Sequence, residues 1–562
     1  MNFRYGDLSF ATASGGVLDV PLSEFTLRAW QARFPWGDAR ASALVTSSPD
    51  LDRVWNFVQN AVKTLTLDMY SDSNARQRSA DCQADDTVAA QAHYATSAEL
   101  GLPRMATNQI MKIGHDVDDS GSGSGAFPWP YPRPKDTPAA HANGTGGYVS
   151  PTWADWTVLP LINVVNDALF TGDLSGAVRY YDYLLKYHVY AGWLNATGTV
   201  AAGLVVDNRA QCAKSAGSCL SALIDTSGGS DDGFVQSHVN AVTQAWVYYG
   251  MTQLSRLATW MGKLDDARML TEKAAAMKAA FNALFIDHKT GAVCDGMCAE
   301  VAHTSVHSSF YALAFGLVDS AGGNADGVWN YIKRRVDDSA VGVPCGAYPV
   351  QFLLLALYSL ESNHGAEAFK VLTSAKSHSW IAMMDVHNAT TTMECWEPEE
   401  LPNLTFSHIW SASPSFIIPW FLVGVRPLLP GWQHVSIKPQ AGSTLTWLNY
   451  TQPTVKGPIH TTLAQTFDEG GSGGGGGGGG DGGGSDRLVM SRLRSYTLDV
   501  EIPGNMVARL HVPVRLPSAA TAAAPSDCIR HNGIQKVGKE TAEGAHVWIE
   551  VESGRHTVEL CA

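Results

Sequence analysis

The sequence predicts a multidomain α+β protein: an (α/α)6 toroid of six helical hairpins, flanked by β-strands and followed by a C-terminal β-sandwich. Three observations carry that expectation. From Ser47 to about Pro430 apolar residues recur three and four positions apart in long segments, the spacing of a helix face. Before and after that stretch apolar and polar residues alternate, the spacing of strands. At roughly thirty residues per helix with its connection of ~2–8 residues, hence about sixty per hairpin, the helical stretch accommodates about six hairpins.

In chain order, residues 8–45 (with GGVLDVPLSEFTLRAWQARF) alternate and carry β-branched residues, so residues 1–46 are expected to be strands left from a preceding β-domain. Helical segments follow: LDRVWNFVQNAVKTLTLDM, VLPLINVVNDALF, SGAVRYYDYLLKYHVYAGW, HVNAVTQAWVYYGMTQLSRLATWMG, LDDARMLTEKAAAMKAAFNALF, HSSFYALAFGLV and YPVQFLLLALYSL. They place the helical domain at 47–430, joined by Gly, Pro and Asp-rich loops such as DTSGGSDDGF (225–234) that suit the mouth of a site. After PGWQHVSIKPQAG strands return (SYTLDVEIPGNMVARLHVPV, HVWIEVESGRHTVEL), a sandwich over 431–562. The run GGSGGGGGGGGDGGGS (470–485) interrupts it as a flexible insertion with nothing to pack.

Composition excludes some classes. A chain of 562 residues with 45% hydrophobic content is too long for one ordinary domain. Its net charge of −14 disfavours nucleic acid, whose phosphates need clustered Lys and Arg. The 17 tryptophans and 18 tyrosines suit either sugar-binding clefts or an aromatic core. Among nine cysteines, the pairs Cys212/Cys219 and Cys294/Cys298 close short loops that could be disulfides, while Cys528 and Cys561 span the C-terminal region. Five N-x-S/T sequons (Asn143, Asn195, Asn388, Asn403, Asn449) point toward export. The start MNFRYGDLSF lacks a signal peptide's basic and apolar runs, which leaves either an upstream N-terminus or an intracellular protein. No stretch is apolar enough to span a membrane.

The stretch SDSNARQRSADCQADD (71–86) brackets Gln77 with two arginines and places acids at Asp72, Asp81, Asp85 and Asp86. Outside the low-complexity glycine run 470–485, G-x-S-x-G, P-loop and dinucleotide motifs are absent. In HTSVHSS (303–309) two histidines lie four apart without the glutamate of a zinc motif, so they are expected to be ring-wall or cleft residues. No metal and no cofactor is implied.

Several of these segments together resemble one family. SSPDLDRVWNFVQNAVKTLTLDMYSDSNARQR resembles the start of the catalytic domain of α-L-rhamnosidases of glycoside hydrolase family 78, whose pattern runs roughly D-C-P-x-R-E-R-x-G-W-x-G-D. SPTWADWTVLPLINVVNDALFTGD is similar to its P-x-W-x-D-A segment, and TTTMECWEPEELPNLTFSHIWSASPSFIIPWFLVGVRPLLPGW to its T-T-x-W-E-x-W segment and the run into the sandwich. The resemblance covers residues 47 to about 562.

It implies an inverting α-L-rhamnosidase acting on terminal rhamnose of a glycan or glycoside, which needs two carboxyl groups about 6.5–9.5 Å apart. Glu394 matches the general base, with Glu397 as fallback and an exposed loop acid as the alternative. Asp72, Arg76 and Asp85 match sugar contacts of the first motif, Trp153 and Asp155 the aromatic and acid that hold the rhamnose, and His408 a histidine near the base. Trp396 is a further sugar contact; Asp231 and Asp232 lie at the expected rim, where a plain turn is the alternative. The family's catalytic glutamate is Gln77 here, and an amide cannot donate a proton as a carboxylic acid does. Asp81, four residues on, is the expected donor, with Asp85 and Asp86 as alternatives. Otherwise an activated or acidic aglycone dispenses with the donor, or the protein binds rhamnosides without cleaving them. Another (α/α)6 glycosidase activity is the remaining alternative.

Overall fold

The computed structural model describes residues 36, 41–67, 69–73, 83–119, 152–186, 203–205, 220–221, 232–320, 323–360, 365–401, 404–467, 493–513, 528–541 and 545–560. Six inner helices form the ring: α2 (Gln83–Thr96), α4 (Ala154–Thr171), α6 (Ala241–Trp260), α8 (Val306–Ala314), α10 (Val350–Leu357) and α13 (Pro414–Ile417). Each packs on the next, and α13 packs back on α2, closing the circle. Between them in sequence run the outer helices α1 (Pro49–Leu65), α3 (Gly101–Asp119), α5 (Ser175–Leu185), α7 (Leu264–Leu284), α9 (Asn324–Asp337) and α11 (Ala366–Leu372), with short α12 (Trp380–Asp385) before the closure. This is the expected six-hairpin toroid.

Burial separates the two layers as helix physics requires. Outer α7 buries one stripe, Ala267, Leu270, Ala274, Met277 and Phe281, at steps of three and four. Inner α8 buries every residue from Val306 to Leu313, and α13 buries all four of its residues. Side-chain caps fix several starts: Ser48 accepts from Leu51 N–H, Asn240 from Thr243 N–H, Ser305 from Ser308 N–H and Ser379 from Ala382 N–H.

The strands are β1 (Ala43–Thr46), β2 (Thr152–Trp153), β3 (Leu220–Ser221), β4 (Ile286–Asp287), β5 (Ala292–Val293), β6 (Val425–Pro427), β7 (His434–Ile437), β8 (Trp447–Gln452), β9 (Ile459–Phe467), β10 (Leu493–Ile502), β11 (Val507–Pro513), β12 (Cys528–His531), β13 (Ile534–Val537), β14 (Lys539–Glu540), β15 (His546–Val551) and β16 (Gly554–Leu560). A seven-stranded sheet of order β1-β8-β9-β10-β16-β12-β13 faces a five-stranded sheet of order β14-β15-β11-β7-β6. Strand β9 alternates buried and exposed along its length, one face in the sandwich core and one in water. Gly424, between the ring and β6, has φ +81°, and a Cβ there would stand 1.9 Å from the Lys438 carbonyl oxygen, so only glycine allows this close approach.

Strand β1 pairs antiparallel with β8, Ala43 opposite Thr451 and Thr46 opposite Leu448, as the edge of the seven-stranded sheet. Cys294 and Cys298 form a disulfide with Cα atoms 5.4 Å apart. Cys212, Cys219, Cys561 and the glycine-rich run 470–485 lie outside the described residues. Among the described residues no helix is long and apolar enough to cross a membrane.

Candidate active site

The N-terminal ends of α2, α4, α10 and α13 meet at one mouth of the ring, where Asp85 reaches His408, Asp155 reaches Tyr348 and Tyr348 packs on Trp410. Asp85 lies in the first turn of α2 and Asp155 in that of α4. Tyr348 precedes α10, and the segment that leads into α13 carries His408 and Trp410.

Glu394 sits in that mouth on two antiparallel stretches, 391–395 and 405–411, that zip together. His408 N–H donates to the Thr392 carbonyl at 2.7 Å and Glu394 N–H to the Thr405 carbonyl at 3.0 Å. The Thr392 hydroxyl donates to the His408 carbonyl at 2.6 Å, the Ser411 hydroxyl to the Met393 carbonyl at 2.6 Å, and the Trp410 indole N–H to the Glu394 carbonyl at 2.7 Å. One carboxylate oxygen of Glu394, Oε2, accepts from Thr405 N–H at 3.1 Å. The other, Oε1, lies 4.0 Å from Nε2 of His408. Nδ1 of the same imidazole lies 3.2 Å from Oδ1 of Asp85. Glu394, His408 and Asp85 are all buried, so two carboxylates flank one imidazole in a low-dielectric setting that strengthens their interaction.

A second string runs from His408 across the mouth. Its ring packs at 4.4 Å on Trp410, which packs at 5.5 Å on Tyr348. The Tyr348 hydroxyl reaches Oδ2 of Asp155 at 3.4 Å. Burial lifts the Asp155 carboxyl to about 8, against the lowering pull of the Trp156 and Asp155 backbone N–H groups and the Tyr348 hydroxyl. Burial, then the nearby Asp155, Tyr311 and Asp85, raise the Tyr348 phenol well above its ordinary value. At neutral pH the pair therefore presents a neutral phenol and a largely protonated acid.

Asp72 is buried beside this cluster: its carbonyl accepts from Ile409 N–H at 3.0 Å, and Ser73 bridges to His408 as an isolated antiparallel pair. Strand β2, with Trp153, pairs with β3 in parallel. Arg76, Gln77, Asp81, Asp231 and the Trp153 side chain lie outside the described residues.

The other singled-out residues occupy separate settings. Trp396 is wholly buried, donates its indole N–H to the Cys345 carbonyl at 2.7 Å and packs edge-on against Trp380 at 5.2 Å, so it belongs to the core. Asp232 is a structural turn: at φ 52° it accepts from Val306 N–H at 2.7 Å and forms an ion pair with Arg335. Glu397 is separate from Glu394's partners and lies 3.9 Å from His378. His303 precedes α8 and contacts Asp295, while His307 packs on Phe310 inside it, so the two histidines share no helix face.

Three residues passed over in the sequence organise the mouth. Tyr348 and Trp410 could have been flagged as aromatics beside a helix-starting proline and the motif histidine. Asp295 had no local signal. Fully buried, it accepts from Val235 N–H, Ser305 N–H and the Ser305 and Ser308 hydroxyls at 2.7–2.9 Å and contacts His303 Nδ1 at 2.6 Å, tying the loop before α6 to the start of α8.

Among solved structures, the Dictyoglumus thermophilum α-L-rhamnosidase matches 92% of this chain at 15% identity and TM-score 0.65, over 50% of its own length. The Streptomyces avermitilis α-L-rhamnosidase, solved with L-rhamnose, matches 93% at 19% identity and TM-score 0.63, over 42% of its length. The Aspergillus terreus enzyme matches 93% at 17% identity and TM-score 0.62, over 50% of its length. The chain thus spans about half the length of these proteins, and at such identities the likeness is one of fold. No curated protein sequence matches the chain. Residues 424–469 match the bacterial α-L-rhamnosidase C-terminal domain. Because residues 39–423 match the bacterial α-L-rhamnosidase six-hairpin glycosidase domain, the chain belongs to that family.

Proposed function

We propose that the protein is an inverting α-L-rhamnosidase that releases terminal rhamnose from a glycan or glycoside. The observation that carries this reading is the clamped Glu394: Thr405 N–H holds Oε2, and Oε1 is turned toward His408 at the mouth of the ring. A carboxylate so fixed suits a general base, which must hold a water in line with the anomeric carbon. His408, set between Asp85 and Glu394, would orient the base and bond a sugar hydroxyl. Asp72, Arg76, Asp85, Trp153 and Asp155 would hold the ring, and Tyr348 would keep Asp155 in place. The leaving oxygen needs a proton, and with Gln77 at the family's glutamate position we assign that task to Asp81.

Release of rhamnose from p-nitrophenyl α-L-rhamnoside and from a rhamnose-bearing polysaccharide tests this, with wild type, Glu394→Gln and Asp81→Asn. Activity of the wild type on both, lost on both in Glu394→Gln and lost on the polysaccharide in Asp81→Asn, with the β-anomer as first product by proton NMR, is the expected result. Gln77 favours one second reading, a lectin-like homologue: rhamnoside binding with no release from either substrate would establish it and end the hydrolase reading. Activity confined to the aryl glycoside would remove Asp81 as donor.

A further inference from the structure

The second feature of the molecule with the chemistry of a site lies in the C-terminal sandwich, where the chain crosses between sheets. Strand β13 ends the seven-stranded sheet, Gly538 turns, and two-residue β14 begins the five-stranded one, pairing only with Val547 and Trp548 of β15. The rest of β15 borders a cavity of about 400 Å3, within the range of small-ligand sites. None of its lining residues belongs to the cluster around Glu394.

The lining combines an apolar wall with donors and acceptors. Trp548, Val537 and Ile549 give the wall. The indole is held by cations, Arg509 at 4.7 Å and Lys539 at 5.0 Å from its ring, and Arg509 also pairs with Glu550 at 3.6 Å. On the β13–β14 side stand Lys536 and Lys539, both exposed and neither ion-paired with a described carboxylate. The run CIRHNGIQKVGK (528–539) holds Arg530 and both lysines with no acid, on a chain of net charge −14.

Two imidazoles complete the cavity. Nε2 of His556 lies 2.8 Å from the Glu552 carbonyl, which can only accept, so that nitrogen carries the proton. With Nε2 of His556 donating, its Nδ1 can accept from Nε2–H of His531, 3.0 Å away, which leaves Nδ1 of His531 as an acceptor. Burial, then the neighbouring His556 and Lys536, hold the His531 imidazole below its ordinary range.

We infer that this cavity is a binding site for a carboxylated sugar: the apolar wall meets the C–H face of a pyranose, Lys536 and Lys539 take the carboxylate, and His531 and Glu552 accept from hydroxyls. The site goes beyond the rhamnosidase reading and does not depend on it. It gives the protein a hold on an acidic polysaccharide apart from the residues that would act on it.

The test is calorimetric titration of the full chain with tetragalacturonate and, as a neutral comparison, maltotetraose. Wild type is expected to bind the former, and Lys536→Ala/Lys539→Ala to bind it about ten-fold or more weakly, since a hydrogen bond to a charged group contributes roughly 1.5–3 kcal/mol. Both lysines are exposed, so unfolding temperature should hold. Trp548→Ala should weaken binding as well, and hydrolysis of p-nitrophenyl α-L-rhamnoside, run in parallel, should match wild type for the lysine variant. No tetragalacturonate binding by wild type, equal binding by the lysine variant, or equal binding of maltotetraose would overturn the inference. Loss of hydrolysis in wild type with binding intact would count against the rhamnosidase reading alone.

Discussion

Oε1 of Glu394 and Nε2 of His408 face each other at 4.0 Å in the buried mouth of the helical ring. Glu394→Gln keeps the shape and the Thr405 contact but cannot take a proton. It should lower kcat for rhamnoside hydrolysis by about 10²–10⁴-fold, with an unchanged circular dichroism spectrum.

His408 acts through its neighbours. His408→Asn removes the imidazole from between Asp85 and Glu394 and should lower kcat/KM by roughly 10–100-fold, the effect of losing a charge-assisted contact. A positioning role also alters the pH–rate profile of the variant, which a merely structural role would leave in place.

Asp155 supplies a pH dependence of stability. Its folded value of about 8 stands above the ordinary 3.8, so between those limits the folded chain keeps a proton that the unfolded chain has lost. Stability contributed by this group is full below about pH 4 and falls as pH rises toward 8, by at most about 1.4 kcal/mol per pH unit. Asp155→Asn removes the titration. Urea unfolding at pH 5 and pH 8 should show the variant gaining on wild type as pH rises; a constant difference would refute the assignment.

Asp295→Ala would leave the donors of Val235, Ser305 and Ser308 without their acceptor in the core. The expected loss in unfolding free energy is on the order of 3 kcal/mol or more, read by urea denaturation. Proteolysis should find the loop before α6 first.

Gln77→Glu restores a carboxyl at the family's position. Turnover of the polysaccharide should rise if no other group protonates the leaving oxygen, and should change little if Asp81 already does. Steady-state rates on the two substrates separate these outcomes.

Helix α7 is legible because it must hide one stripe: Leu270, Ala274, Met277 and Phe281 announce its period, whereas outer α3, α9 and α11 are not among the segments the sequence marks. Helix α2 was passed over because its buried side is spread around the whole helix. Ala84, Asp85, Asp86, Thr87, Val88, Ala89 and Ala90 are all buried, and no stripe remains to be read. Glu394, His408 and Asp85 could be named from motif positions, yet their adjacency depends on ring closure between α2 and α13, which no local pattern encodes. Trp396 misled for a related reason: a tryptophan near an acid reads the same whether its indole faces sugar or the Cys345 carbonyl. Strand β1 needed a partner some four hundred positions away, a pairing that alternation alone cannot assign.

That pairing acts as a clasp. The chain enters the ring from β1, in the seven-stranded sheet, and leaves it into β6 and β7 of the five-stranded sheet, so both ends of the ring run into one sandwich. The Ser47 hydroxyl and N–H bind the Thr446 N–H and Trp447 carbonyl at 2.9 and 3.0 Å. The circle of helices is thereby sewn shut at both ends by one seam. Prying the sandwich away would free the first helix as well as the last, so heat should melt ring and sandwich in a single transition rather than in two.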